Sequence, residues 1–168
     1  MSPGLLHGIW AAGFAVLLLL AAATDVARRR IYNWTVLALA ALYAAAALLG
    51  VAPSDWVSGL SAGLIALAVG YVLFHFGIMG GGDAKLLAAV ALYFGVDRLP
   101  FLAAAVALIG GAVAVGYLVF LPKRVMRGLT RSGRTAGPGV GIPYGVAISA
   151  GALLTGAFTT GFFPPPIG

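Results

Sequence analysis

Six apolar stretches separated by short connections restrict this chain to a bundle of helices in a membrane. The stretches cover residues 5–24, 34–49, 57–76, 84–96, 101–121 and 142–163. A spanning helix needs about 20 apolar residues, so the second stretch is somewhat short and the fourth is clearly short. Only 8% of the residues are charged and 62% are hydrophobic, which leaves little of the chain for water. We predict an all-α, polytopic transmembrane bundle of about six helices, with five crossings as the alternative, forming one integral-membrane domain over residues 1–168.

The basic residues divide the connections into two sets. Arg28, Arg29 and Arg30 follow the first stretch, Lys85 follows the third, and a basic cluster at residues 123–134 precedes the sixth. By the positive-inside rule these connections face the cytoplasm and both termini lie outside. The net charge of +6 is explained by topology and by contact with anionic lipids, so no nucleic-acid partner is expected.

All four acidic residues are Asp, and the predicted orientation separates them into two pairs. Asp25 ends the first apolar stretch and Asp83 begins the fourth, both on the predicted cytoplasmic face. Asp55 and Asp97 fall in the outer connections, where solvated turns explain them. Because a carboxylate is costly in a bilayer, the cytoplasmic pair suggests a function.

Each member of the cytoplasmic pair also has a structural explanation. Asp83 follows three glycines and suits a helix N-cap. Asp25 lies three and four residues before Arg28 and Arg29, so a salt bridge on the helix surface would explain it. Taken together, two carboxylates in one site cannot easily both ionise, and a proton held between them is typical of an aspartyl protease. The spacing does not establish that the two carboxylates meet.

The ligand inventory argues against a metal or another cofactor. The chain has no Cys, and its two imidazoles, His7 and His75, fall on different apolar stretches. A tetrahedral zinc site needs four clustered ligands, so we expect neither a metal nor a cofactor.

Three segments together resemble the type IV prepilin peptidase family of membrane aspartyl proteases. Residues 80–87, GGGDAKLL, are similar to its Gly-x-Gly-Asp motif, and residues 25–33, DVARRRIYN, are similar to its first catalytic segment. Residues 142–147, IPYGVA, resemble the start of its last helix, although a Pro in the first turn of a helix explains them equally well on local grounds. The resemblance implies that Asp25 and Asp83 are the catalytic pair. The residues it implies at the substrate are Gly80, Gly82, Lys85, Pro143, Tyr144 and Gly145.

The resemblance also implies a substrate and a location. Prepilin or pseudopilin precursors would be cut just before their hydrophobic segment, at the cytoplasmic face of the bacterial inner membrane. Larger relatives carry a four-cysteine segment linked to N-methylation, which this sequence lacks, and Tyr32 stands where many relatives have Pro. The chain is therefore similar to the short, peptidase-only enzymes of Flp (tight-adherence) pilus systems.

Two other functional classes stay open at this stage. A small proton-coupled transporter would carry acidic residues near the bilayer midplane, and the predicted spans place none there. A non-catalytic component of pilus assembly would tolerate Asn at positions 25 and 83. The sequence favours the protease over both.

Overall fold

Every regular element in the described part of the chain is helical, which confirms the all-α prediction. The computed structural model describes residues 3–52, 54–120 and 144–158. The helices are α1 (Pro3–Arg28), α2 (Asn33–Leu48), α3 (Trp56–His75), α4 (Gly81–Phe120) and α5 (Tyr144–Phe158). Three of them, α1, α3 and α4, are long and apolar enough to cross a membrane, while α2 and α5 are shorter apolar helices. The number of crossings stays a prediction, and the basic cluster at residues 123–134 lies outside the described residues.

A sharp reversal at Gly95 divides α4 into two halves. Gly95 has φ 68° and ψ 177°, a backbone conformation that is open almost only to glycine. Leu87 from the first half and Val106 from the second line the same cavity, so the second half returns alongside the first. The reversal explains why the fourth predicted stretch is short, since the fourth and fifth stretches correspond to the two halves of α4.

Two serines of α3 and its preceding turn satisfy the backbone groups at this reversal. The Val96 N–H donates to Ser58 Oγ at 2.9 Å, and Ser54 Oγ donates to the Leu92 carbonyl at 2.8 Å. Asp55 caps α3 beside them, because its carboxylate accepts hydrogen bonds from two backbone N–H groups of the first turn. The reversal is therefore fixed by side chains as well as by the glycine.

Close packing between α3 and the first half of α4 sets the position of Asp83. A Cβ built on Gly70 would lie 2.8 Å from the Ala84 Cβ and 3.1 Å from its Cα. No real side chain fits in that space, so the glycine allows the two helix backbones to approach. Ala84 follows Asp83 directly, and the start of α4 is held against α3 by this contact.

An aromatic cluster joins α1, α2 and α4 away from the carboxylates. The rings of Phe14 and Tyr93 are 4.3 Å apart, and Trp10 and Tyr43 pack on Tyr93 at 5.5 and 5.3 Å. The Tyr93 hydroxyl donates to the Leu39 carbonyl, which satisfies a polar group in this buried region. Along α1, Phe14 lies about 16 Å from Asp25, at a rise of about 1.5 Å per residue. The cluster fixes the bundle at the end opposite to the candidate site.

The acidic residues separate to the two ends of the bundle as the charge pattern predicts. Asp25 and Asp83 lie at one end, whereas Asp55 and Asp97 flank the Gly95 reversal at the other. Which end faces the cytoplasm stays a prediction.

Candidate active site

One pocket of about 300 Å³ contains the carboxylates of both Asp25 and Asp83. Asp25 reaches it from the last turn of α1, and Asp83 reaches it from the first turn of α4. The remaining lining comes from residues 29–31, which connect α1 to α2, and from the glycines at 80–82. The structure thus brings together two residues whose meeting the sequence could not establish.

Asp25 is buried and held by the start of α5. Only 6% of its surface is exposed. Its Oδ2 accepts a hydrogen bond of 2.8 Å from the Gly145 N–H, and its carboxylate accepts a second backbone hydrogen bond from Val146. The first N–H groups of a helix have no partner within it and carry the positive end of its dipole, so they suit a carboxylate. A Cβ on Gly145 would lie 2.8 Å from Asp25 Oδ2, so only glycine permits this approach.

The salt-bridge explanation of Asp25 fits the structure only in part. Arg28 is exposed and donates instead to the Tyr32 hydroxyl at 2.8 Å. Arg29 lines the pocket and lies near enough for its charge to act on Asp25. Its backbone has φ 51°, in the left-handed region. The α1 helix ends at Arg28, and Arg29 and Arg30 directly after it line the pocket.

Asp83 lies within α4 rather than at its cap. The helix begins at Gly81, three residues before Ala84, where an N-cap at Asp83 would place its first residue. The carboxylate bonds back to the backbone of Gly80, as in a capping box. Asp83 is half-buried, and the carboxylate of Asp25 is close enough for the two charges to act on each other. Its local bonding suits a helix start, and its position suits a paired carboxylate.

The glycine segment brings two parts of the chain close together. A Cβ on Gly82 would lie 3.3 Å from the Ile31 Cβ, so the connection after α1 packs directly on the start of α4. A Cβ on Gly80 would lie 2.7 Å from Asp83 Oδ2. Gly80 is itself exposed, so its backbone is open to an incoming chain.

The other predicted residues occupy different positions. Lys85 is exposed and is not among the described residues that line the pocket; its Nζ donates to Asn33 Oδ1 at 3.4 Å, which links α4 to α2. Tyr144 lines a neighbouring apolar cavity and not the carboxylate pocket. Pro143 lies outside the described residues.

Sequence reasoning missed several residues around the carboxylates. Arg29, Arg30 and Ile31 line the pocket; the sequence placed them in the segment that resembles the first catalytic segment of the family but did not single them out as site residues. Phe74 of α3 covers Gly81, since a Cβ there would lie 3.4 Å from its ring. The available signal for Arg29, Arg30 and Ile31 was their position shortly after Asp25 in the sequence. Nothing local in the sequence indicated Phe74.

Comparison with known proteins gives one match. A family model described as the type IV leader peptidase family matches residues 12–115, which is more than half of the chain and includes Asp25 and Asp83. The match ends before α5, so the contact of Gly145 with Asp25 comes from the structure alone. Searches of curated proteins and of solved structures returned no match. The resemblance inferred from the sequence segments is confirmed, and the chain belongs to the type IV leader peptidase family.

Proposed function

We propose that this chain is a membrane aspartyl endopeptidase that uses Asp25 and Asp83 to remove the leader peptide of prepilin or pilin-like precursors. Membership of a leader peptidase family supports peptidase activity in general. The observation that carries the finer proposal is the shared pocket, in which two carboxylates from separate helices line one space beside an exposed glycine backbone. Cleavage takes place at the cytoplasmic face of the bacterial inner membrane, where the basic connections lie.

The reaction follows from the chemistry of a carboxylate pair. Two carboxyl groups in one pocket hold one proton between them, because both cannot easily ionise together. The ionised carboxylate takes a proton from water, and the resulting hydroxide adds to the scissile carbonyl carbon. The protonated carboxyl donates its hydrogen bond to the carbonyl oxygen, and the amine leaves with a proton returned by the pair. The pair then again shares one proton, so the two groups act as a unit.

The surroundings of the pair support this role. Backbone donors from Gly145 and Val146 hold Asp25 in place, which leaves little freedom to the first carboxylate. The exposed backbone of Gly80 offers hydrogen-bonding groups to a substrate chain lying extended beside Asp83. A pocket with fixed carboxylates and an open backbone edge suits a peptide substrate.

The proposal includes the narrower expectations from the sequence. The chain acts as a single peptidase domain without methyltransferase activity, as in the short enzymes of Flp pilus systems. It needs no metal or cofactor, and Lys85, Pro143 and Tyr144 belong to the substrate region. The basic cluster at residues 123–134 contacts anionic lipids.

The two alternatives make different demands on the acidic residues. A proton-coupled transporter needs acids along a pathway across the bilayer, whereas all four acidic residues of this chain lie at helix ends or in the turn next to them. A non-catalytic assembly component would keep its function when the carboxylates are replaced. Only the second alternative fits the geometry, and it is an outcome of the experiment that follows.

The test is cleavage of a purified prepilin precursor by the purified chain, read as product mass. We predict that Asp25→Asn and Asp83→Asn each abolish cleavage and leave membrane insertion intact, because Asn is nearly isosteric but cannot share the proton. The double variant is no worse than either single one, as expected for groups that act together.

The matched controls are the two acids at the opposite end of the bundle. Asp55→Asn keeps near-normal cleavage, since Asn caps a helix about as well as Asp. Asp97→Asn does the same, because this residue is exposed and far from the pocket. Cleavage by Asp25→Asn at close to the wild-type rate would refute the carboxylate pair and favour the non-catalytic component.

A further inference from the structure

A long apolar groove runs along α4 beside α3. It consists of two cavities of about 280 and 350 Å³ that share Val69, Leu87 and Ala103 in their linings and therefore lie end to end. Along the second half of α4 the groove extends from residue 99 to residue 114, or about 22 Å at 1.5 Å per residue. The hydrocarbon core of a bilayer is about 30 Å thick, so the groove covers most of its depth.

The floor of the groove consists of small side chains from one face of α4. Ala103, Ala107, Gly111 and Ala114 line it at spacings of four, four and three residues, which places them on one side of the helix. A Cβ built on Gly111 meets no atom within 4 Å, so this glycine is not needed for packing inside the described chain. Glycine in the middle of a helix is destabilising relative to Ala, and a close approach by another backbone is the usual compensation.

The groove adjoins the carboxylate pocket at two places in the chain. Met79 lines the groove and the next residue, Gly80, lines the pocket. Tyr144 lines the groove and the next residue, Gly145, donates its N–H to Asp25. One polypeptide could therefore lie extended in the pocket and continue directly into the groove.

From this continuity we infer that the groove binds the hydrophobic helix of the precursor while the residues before it lie between the carboxylates. The inference rests on the proposed function, in which the cut falls just before a hydrophobic segment. A helix seated along the second half of α4 stays in the bilayer, and its end is presented at the pocket. The groove thereby sets the depth at which the scissile bond meets Asp25 and Asp83.

The small-residue floor favours a helix over the other possible occupants. A lipid acyl chain is not bound more strongly by a small-residue surface than by larger apolar side chains, because lipid tails and apolar side chains are equally apolar. A helix gains close van der Waals contact between backbones, as in small-xxx-small packing. Residues 121–143 of this chain are the third possible occupant, and the experiment separates them from the precursor.

The experiment uses two neighbouring exposed positions of α4 that lie at the same depth. Gly111 lines the groove and Ala112 does not, and the chain has no natural Cys. Gly111→Cys and Ala112→Cys are each placed in the Asp25→Asn background and incubated with a prepilin precursor that wild-type protein cleaves and that carries one Cys in its hydrophobic segment. We expect disulfide cross-linking at Gly111 at least about tenfold above that at Ala112, since facing thiols alone can meet disulfide geometry.

A kinetic arm tests the same surface without cross-linking. Gly111→Leu fills the floor and Ala112→Leu does not, both in the active protein. We expect the ratio of kcat/KM for the full precursor to that for a peptide lacking the hydrophobic segment to fall about tenfold in Gly111→Leu, through a higher KM, and to stay within about twofold in Ala112→Leu.

The outcomes separate this inference from the proposed function. Three results would refute binding of the precursor helix in the groove and leave the proposed peptidase activity standing. They are equal cross-linking at both positions, an unchanged kinetic ratio in Gly111→Leu, and cross-linking of Gly111→Cys to a Cys introduced in residues 121–143 in place of the precursor. Failure of the wild-type protein to cleave any prepilin precursor would instead remove the proposed function, and the inference with it.

Discussion

Replacing Gly145 by Ala is the most direct test of how α5 controls the carboxylate pair. The new Cβ would lie 2.8 Å from Asp25 Oδ2 and 3.0 Å from both its Cβ and its Cγ. Asp25 is buried and bonded to the Gly145 N–H, so the side chain cannot move away without losing that hydrogen bond. Either Asp25 retreats or the start of α5 is pushed outward.

Two independent estimates of the loss in cleavage rate give the same magnitude. An ordinary contact begins near 3.4 Å, so the carboxylate is displaced by roughly 0.6 Å, and a misplacement near 1 Å costs about 100-fold in rate. Loss of a hydrogen bond to a charged group costs about 1.5–3 kcal/mol, which corresponds to roughly 10- to 150-fold. We therefore expect kcat for precursor cleavage to fall about 10- to 100-fold, with KM little changed, since the substrate contacts are kept.

The assay is steady-state precursor cleavage by the purified protein, with thermal unfolding measured in parallel. Gly151→Ala is the matched control on the same helix, because its Cβ would lie equally close, 2.8 Å, to Val106 Cγ2 and far from the carboxylates. It should lower the unfolding temperature but spare kcat. Gly8→Ala on α1 meets no atom within 4 Å and should change neither quantity.

A kcat for Gly145→Ala within about twofold of wild type would refute the reasoning, because a displacement of this size cannot be neutral at a working carboxylate. A loss of kcat in Gly151→Ala equal to that in Gly145→Ala would mean that general packing of α5, and not the contact with Asp25, controls the rate.

The remaining predictions concern topology, metals and the reversal in α4. Single Cys residues at positions 30 and 131 should resist an impermeant thiol reagent added to intact cells, while those at 55 and 97 should react; labelling of 30 or 131 from outside would contradict the shared cytoplasmic face. EDTA should leave cleavage unchanged, because the described residues contain no cluster of three His, Asp or Glu side chains; loss with EDTA and recovery with zinc would contradict this mechanism. Gly95→Ala should lower the unfolding temperature more than Gly50→Ala, because both glycines have φ 68° but only at Gly95 would a Cβ contact another atom, Ser58 Oγ at 2.7 Å; equal losses would show that the contact is unimportant.

The sequence predicted the fold class and the position of the acids well because both depend on local patterns. Apolar length specifies membrane helices, and the alternation of charge separated the four Asp residues into the pairs that the bundle places at its two ends. The reversal in α4 was only partly predictable. The short fourth stretch indicated an early end, but the turn lies at Gly95, where glycine conformation and the Ser58 hydroxyl act together.

The contacts that shape the site were beyond the reach of sequence patterns. Gly145 and Asp25 are 120 positions apart, and their hydrogen bond exists only because α5 packs on α1. The sequence suggested Arg28 or Arg29 as the partner of Asp25. In the structure Arg28 donates to Tyr32, the charge of Arg29 acts on Asp25, and the hydrogen bonds to the carboxylate come from backbone donors that the sequence did not indicate. Lys85 was expected at the substrate because it lies beside the Gly-x-Gly-Asp motif. In the structure its side chain instead donates a hydrogen bond to Asn33. Long-range packing decided each of these partners.

The arrangement of the bundle explains how a small membrane protein can hold two carboxylates without isolating either charge in lipid. Both lie at helix ends, where backbone N–H groups are free to bind them and where a pocket remains open. Contacts away from the pocket hold the helices that carry Asp25 and Asp83 in place. These contacts are the aromatic cluster around Tyr93 and the close packing at Gly70. A substrate helix in the adjoining groove would bring its own end to the same level, so hydrolysis would need no water in the bilayer interior. The depth of the groove and the position of the carboxylates are thus two consequences of one packing arrangement.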